Sequence, residues 1–174
     1  MDVTADADDP HDNIRPRDSL ANTLIHFGTE KSPTFRQLVR QLGRSNVIVY
    51  VDVQQEADRP EGGSLQFIGE GAGTRWVLAT VSTGTSNFAV ARQRLVSLTA
   101  TLGHELQHAR EVAKAPVMSR PEDFEAFFRE RGVKIRGNVV DTDAARDLGK
   151  RVEREIRGFV DDAEGCRCLA RDGS

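Results

Sequence analysis

One run, Leu102-Gly103-His104-Glu105-Leu106-Gln107-His108-Ala109, restricts this chain to folds that place a helix in its second half. Leu95, Leu98, Leu102, Leu106 and Ala109 step by three or four residues, which predicts a helix from about Ala89 to Lys114 with an apolar stripe docked on a core. On such a helix, side chains four apart leave one face about 6 Å apart along the axis, so the imidazoles of His104 and His108 converge on one ion. They supply two corners of a tetrahedron. Glu105 lies about 100° further round, beside that ion, where it can act as a general base toward a water. Zinc suits this arrangement because it lowers the pKa of a water from about 15.7 to roughly 7 and polarises the carbonyl under attack. With only 4 histidines in 174 residues, an accidental match to this spacing is a poor rival explanation.

The length, 174 residues and 19.2 kDa, suits a single domain with a real core. Its 24 basic and 27 acidic residues leave a net charge of -3, so no global field favours nucleic acid or an anionic membrane. Partners must be recognised locally. No run of about 18 apolar residues occurs, and the opening Met1 to Pro10 is acidic, which predicts neither a membrane span nor an export signal. The default expectation is a soluble, cytoplasmic chain; a mature exported domain whose signal has been removed fits the same polar opening. Cys166 and Cys168, one residue apart, are badly spaced for a mutual disulfide and too few for a zinc site, so they read as exposed thiols in a tail.

Taken in order, residues 1–17 lack apolar periodicity and read as a loosely attached lead-in, with His11 solvated there. Asp18 or Ser19 caps a short helix through Phe27 that Gly28 ends, and His26 on it reads as packed or solvated. Ser32-Pro33 opens a second helix with Phe35, Leu38, Val39 and Leu42 on one face. Val47 to Val53 is a β-branched run expected to be a strand covered on both faces, with Tyr50 packed in the core. Strands at 64–68 and 75–81 follow, joined by a hairpin turn at Gly69–Gly73; the Lys-Ser/Thr ending of a phosphate loop is missing. Ser86 or Asn87 caps the motif helix.

Beyond that helix, Ser119 and Glu122 suggest a capping box, and Phe124, Phe127 and Phe128 give the helix ending at Gly132 one apolar face. Residues 133–140 read as a short extended or loop segment. Asp141-Thr142-Asp143 opens a last helix whose buried stripe is Ala144, Ala145, Leu148, Val152, Ile156 and Phe159 or Val160. The single domain is therefore expected over 18–163, with 164–174 as a tail.

From about Ala100 to Ala113 the chain resembles the zincin metallopeptidases, in which the two histidines of the motif are ligands and its glutamate is the base; this carries over to His104, His108 and Glu105. The metzincin extension is absent, since no histidine follows His108, so the third ligand is a carboxylate, as in gluzincins, or a distant N-terminal histidine. Glu111 lies about 10 Å along the axis from His104, which makes it a surface or supporting group. Glu153 is mid-helix and can face the ion as in gluzincins, although the Glu-Arg alternation around it suggests a solvated face. Asp141 and Asp143 are the other candidates, and either can instead cap the last helix. We take Asp141, which lies 141 − 108 = 33 residues on, room for a full helix and turn. Val140-Asp141-Thr142 also resembles the aromatic-Glu-Thr that begins a later helix in small bacterial zincin-like proteins whose motif reads His-Glu-Leu-Gln-His-Ala, with the acid shorter here by one methylene.

The resemblance implies an α+β fold, with a small twisted mixed sheet against the motif helix and further helices after it. It also implies zinc-dependent hydrolysis of a peptide or protein substrate, with one of the strands at 64–68 or 75–81 offering an open edge to that substrate. Arg136, Tyr50 or His26 is then the candidate donor to the developing oxyanion. The alternative is a zinc-binding module without catalysis, or a decayed site used only for binding partners.

Overall fold

The computed structural model describes residues 13–55, 62–84, 91–116, 118–136 and 139–169. In chain order the elements are β1 (Ile14–Pro16), α1 (Ser19–Lys31), α2 (Pro33–Leu42), β2 (Val47–Gln54), β3 (Gly62–Gly71), β4 (Thr74–Ser82), α3 (Ala91–Ala113), α4 (Pro121–Arg131), β5 (Val133–Arg136), β6 (Val139–Asp141) and α5 (Asp143–Leu169). Together they make an α+β fold. One sheet has the order β1-β2-β4-β3, in which β1, β2 and β4 run parallel and β3 runs antiparallel on the edge; β5 and β6 form a separate hairpin.

Side-chain alternation decides how the sheet is used. Val47, Val49 and Val51 of β2 and Val77, Ala79 and Val81 of β4 are all 0% exposed on one face, against which α3 and α1 pack. Ile48, Tyr50, Trp76 and Leu78 point to the other face and stay partly exposed. The expectation that β2 is covered on both faces is thus corrected: a continuous apolar run does not distinguish a sheet with two helical layers from one with a single layer. On its far side α3 meets α2 and, most extensively, α5, so the motif helix is the centre of the molecule.

Local chemistry sets most helix limits. Asp18 Oδ1 accepts from Ala21 N at 2.8 Å and starts α1, while its Oδ2 accepts from Val53 N at 2.9 Å and ties that start to β2. Ser32 Oγ accepts from Phe35 N at 3.0 Å, with Pro33 in the first turn of α2. Gly28 does not end α1. A side chain there would lie 2.8 Å from both Phe35 and Thr99, so this glycine serves the close approach of α1 to α2 and α3, and the helix continues to Lys31.

Other boundaries differ too. Within the expected lead-in, Ile14–Pro16 pair with Val49–Val51, and Ile14 is buried at 3% exposure, so this part of the lead-in belongs to the sheet. At the other end α5 extends to Leu169, through part of the expected tail; the side chains of Val160, Cys166 and Cys168 lie outside the described residues. His11 and the Ser86-Asn87 cap lie outside them as well. The predicted capping box of α4 is shifted by one residue: Asp123 Oδ2, not Glu122, accepts from the Ser119 and Arg120 amides, each at 3.2 Å. In α5, Ala145, Val152 and Ile156 are 0% exposed as the stripe requires, whereas Ala144 is exposed and Phe159, 47% exposed, lies under the Lys31 ammonium.

The far end of α3 is capped from the sheet. Arg75 of β4, 5% exposed, donates to Val112 O at 2.5 Å, Ala115 O at 3.2 Å and Pro116 O at 3.1 Å, placing a cation on the carbonyl end of the helix. Replacing it by methionine strips one buried and two partly buried carbonyls of their donor. We expect Arg75→Met to lower unfolding free energy by about 3 kcal/mol, read from the urea midpoint.

Candidate metal centre

The motif helix delivers its two imidazoles to one point, as the four-residue spacing requires. The His104 and His108 rings stand 4.9 Å apart at 78°. The third group comes from the end of β6, where the chain turns into α5. Asp141 Oδ1 lies 3.1 Å from His104 Nε2 and 3.2 Å from His108 Nε2. One donor atom from each of these residues falls within 4.8 Å of the others.

Two observations fit this trio to a cation. His108 Nδ1 lies 3.1 Å from Glu111 Oε2. Burial pushes the Glu111 carboxyl up, but hydrogen bonds from His108 and Thr142 outweigh it and hold the acid below its ordinary range, hence ionised. An ionised carboxylate only accepts, so Nδ1 carries the proton of neutral His108 and Nε2 turns a lone pair toward Asp141. Further, Asp141 Oδ1 is buried and no described group donates a hydrogen bond to it. In the neutral form of His108 its Nε2 and Asp141 Oδ1 face each other as acceptors across 3.2 Å, a repulsion that a cation between them relieves. Tetrahedral zinc with bonds of about 2.0–2.2 Å has ligand–ligand edges of about 3.3–3.6 Å, near the 3.1 and 3.2 Å that separate Asp141 Oδ1 from the two imidazoles.

Electrostatics follow from the packing. Burial lowers the affinity of His104 for a proton, opposed by the Asp141 charge and assisted by His108, and the net shift is downward. Burial acts downward on His108 as well, but the Glu111 hydrogen bond and the charges of Glu105, Glu111 and Asp141 prevail, and its net shift is upward. Glu105, 4% exposed, is pushed up to about 7 by burial, with His108 opposing and the Asp141 charge assisting.

Glu111 is the supporting group that its distance along the helix implied. It accepts from His108, from Thr142 Oγ1 at 2.8 Å and from Gln107 Nε2 at 3.2 Å. Thr142 Oγ1 also accepts from Ala145 N at 3.2 Å, so the residue after Asp141 both caps α5 and ties that cap to α3. From sequence, capping by Asp141 or Asp143 is only the alternative to ligation and Thr142 is not singled out; the available signal is a hydroxyl beside a candidate ligand at a helix start. Glu111→Gln is expected to weaken zinc binding roughly 10–100-fold, measured by competition with a chelating dye, because the amide no longer fixes the His108 tautomer.

Several other candidates fall away from the trio. Asp143 is exposed and paired with Arg146. Glu153 faces the cleft but pairs with Arg157 at 2.7 Å. Tyr50 points to the sheet face opposite α3, and His26 is exposed on α1, so neither adjoins the site. The Arg136 side chain lies outside the described residues. Arg146, not anticipated, lines the cleft, and its charge acts on His104.

The trio opens into a cleft of about 1140 Å³. The start of β3 forms one wall, Phe124 and Phe128 of α4 another, and Arg146, Lys150 and Glu153 of α5 a third. Phe128 stands edge-on to His108 at 5.1 Å. Of the two strands that sequence left open, β4 is interior and β3 is the edge beside the site. Among the described residues no helix is long and apolar enough to cross a membrane. Comparison with protein-family models, with curated proteins and with solved structures finds no match to this chain.

Proposed function

We propose that this chain is a zinc-dependent, zincin-type peptide hydrolase. The observation that carries the proposal is the convergence of His104, His108 and Asp141 on one point beside a buried Glu105, all facing a cleft beside β3, the edge strand of the sheet among the described residues. Zinc bound there supplies Lewis acidity, polarising a carbonyl and acidifying a water.

The chain's own groups supply the rest. His104, His108 and Asp141 hold the cation; Glu105 takes the proton from the attacking water and passes it to the leaving amine. Burial raises the proton affinity of Glu105 in the metal-free chain, and a bound cation would draw it down again. Glu111 and Thr142 keep His108 in the ligating tautomer. An extended peptide fits β3 by adding a strand to its open edge, and Phe124 and Phe128 offer an apolar surface to one of its side chains.

A non-catalytic zinc module would close the fourth position with a protein group, whereas only three ligating residues gather among the described ones. The test is metal analysis of protein purified without added zinc, followed by digestion of a mixed peptide library with and without a chelator. One zinc per chain and cleavage that chelation abolishes and zinc restores are expected. A zinc-loaded protein that cleaves nothing sinks the hydrolase reading and leaves the binding module; a protein that takes up no zinc sinks both.

A further inference from the structure

We infer that Gly63 is a positioning residue for Glu105, an inference that rests on the hydrolase reading above. Gly63 pairs with Val81, whose side chain is 0% exposed on the helical face, so any side chain at Gly63 would project toward α3. A Cβ there would lie 2.4 Å from Glu105 Oε1, 2.8 Å from its Cγ and 2.9 Å from its Cδ. Those three atoms span the acid from near its root to its tip. The edge strand therefore lies along the length of Glu105 and covers it, which is why the acid is 4% exposed although Gly63 itself is exposed.

The consequence is conformational. An unclamped glutamate on a helix samples several staggered arrangements, only some of which face the histidine pair. With β3 against it, the side chain is confined between strand and helix. Rotating the carboxylate cannot relieve an added methyl, because Cγ collides as well; the acid or the strand has to move. A misplacement of about 1 Å at a reacting group costs up to roughly 10²-fold in rate.

The experiment is a double-mutant cycle of stability on Gly63→Ala and Glu105→Ala, the second change removing every atom the added methyl would meet, with activity read on Gly63→Ala alone. We expect Gly63→Ala alone to keep its zinc and to lose roughly 10–100-fold in kcat, with KM little changed. It should also lower the thermal midpoint by roughly 3–8 °C. In the E105A background the same change should cost little in midpoint, because Oε1, Cδ and Cγ are all gone. Equal losses in both backgrounds overturn the inference, as does loss of zinc from Gly63→Ala. If Gly63→Ala alone does not fold, a folded double variant supports the inference and an unfolded one overturns it. A wild-type chain that cleaves no peptide fails the hydrolase reading, whereas the unfolding cycle still decides whether Gly63 holds Glu105.

Discussion

Replacing Glu105 by glutamine is expected to cut zinc-dependent peptide hydrolysis by roughly 10²–10⁴-fold while leaving the zinc content of the protein unchanged. The amide occupies the same space between α3 and β3 but cannot accept the proton, and it is not one of the three converging donors. The metal-free variant should also differ in stability, with a sign set by the acid's surroundings. Burial holds Glu105 near 7 against an ordinary value of 4.5, so the fold favours its neutral form. That contribution is fully present below the ordinary carboxyl value and is lost as pH rises through about 7. Above pH 7 the metal-free Glu105→Gln protein should be more stable than wild type by about 3 kcal/mol, with the difference vanishing toward pH 4. In the loaded protein the adjacent cation favours the carboxylate, which places the acidic limb of the pH–rate profile below 7. Calorimetry across pH and single-turnover cleavage check the two halves. A variant that keeps both its zinc and full activity shows that another group is the base.

Removing Asp141 should act on the metal first. Asp141→Ala deletes the only carboxylate within 3.2 Å of both Nε2 atoms among the described residues. Zinc affinity should fall by more than the roughly 10–100-fold expected for a supporting group such as Glu111, and hydrolysis should fall with it. Asp141→Glu is the more discriminating change. Asp141 Oδ1 already stands about one tetrahedral edge from each histidine. An added methylene of about 1.5 Å therefore has to buckle to bring its oxygen back to the same point. We expect the longer acid to bind zinc more weakly than wild type, measured by dye competition at fixed pH. Stoichiometric zinc of unchanged affinity in Asp141→Ala would remove Asp141 from the ligand set.

What could be read without coordinates follows the range of each interaction. The α3 stripe, the caps at Asp18 and Ser32, and the apolar face of α4 are set by neighbours within a few residues, and they lie where periodicity placed them. Asp141 could be put forward because it opens a helix 33 residues after His108 and because Val140-Asp141-Thr142 resembles a family pattern, while Asp143 and Glu153 stayed open beside it. The Thr142–Glu111 bond joins residues 31 apart and depends on how α5 leans on α3, which no local pattern encodes. The same holds for β1, whose three residues are too few for a period and which is placed by distant partners, β2 above all. Gly28 and Gly63 were opaque for a related reason: a missing side chain shows its purpose only when the neighbour that needs the space is known.

The kink in β3 limits what can grow on the open side of the sheet. β3 stays in step with β4 over the six residues from Gly62 to Phe67, then slips a register before Gly69, with Ile68 turned outward at 56% exposure. A chain laid against that border matches hydrogen bonds over about 20 Å and then loses them as the local coiling steepens. An unprotected border of full length would invite stacking of one molecule on the next into fibril-like ribbons. Interrupting it after Phe67 leaves a short landing strip beside Glu105 and discourages the propagating kind of self-association.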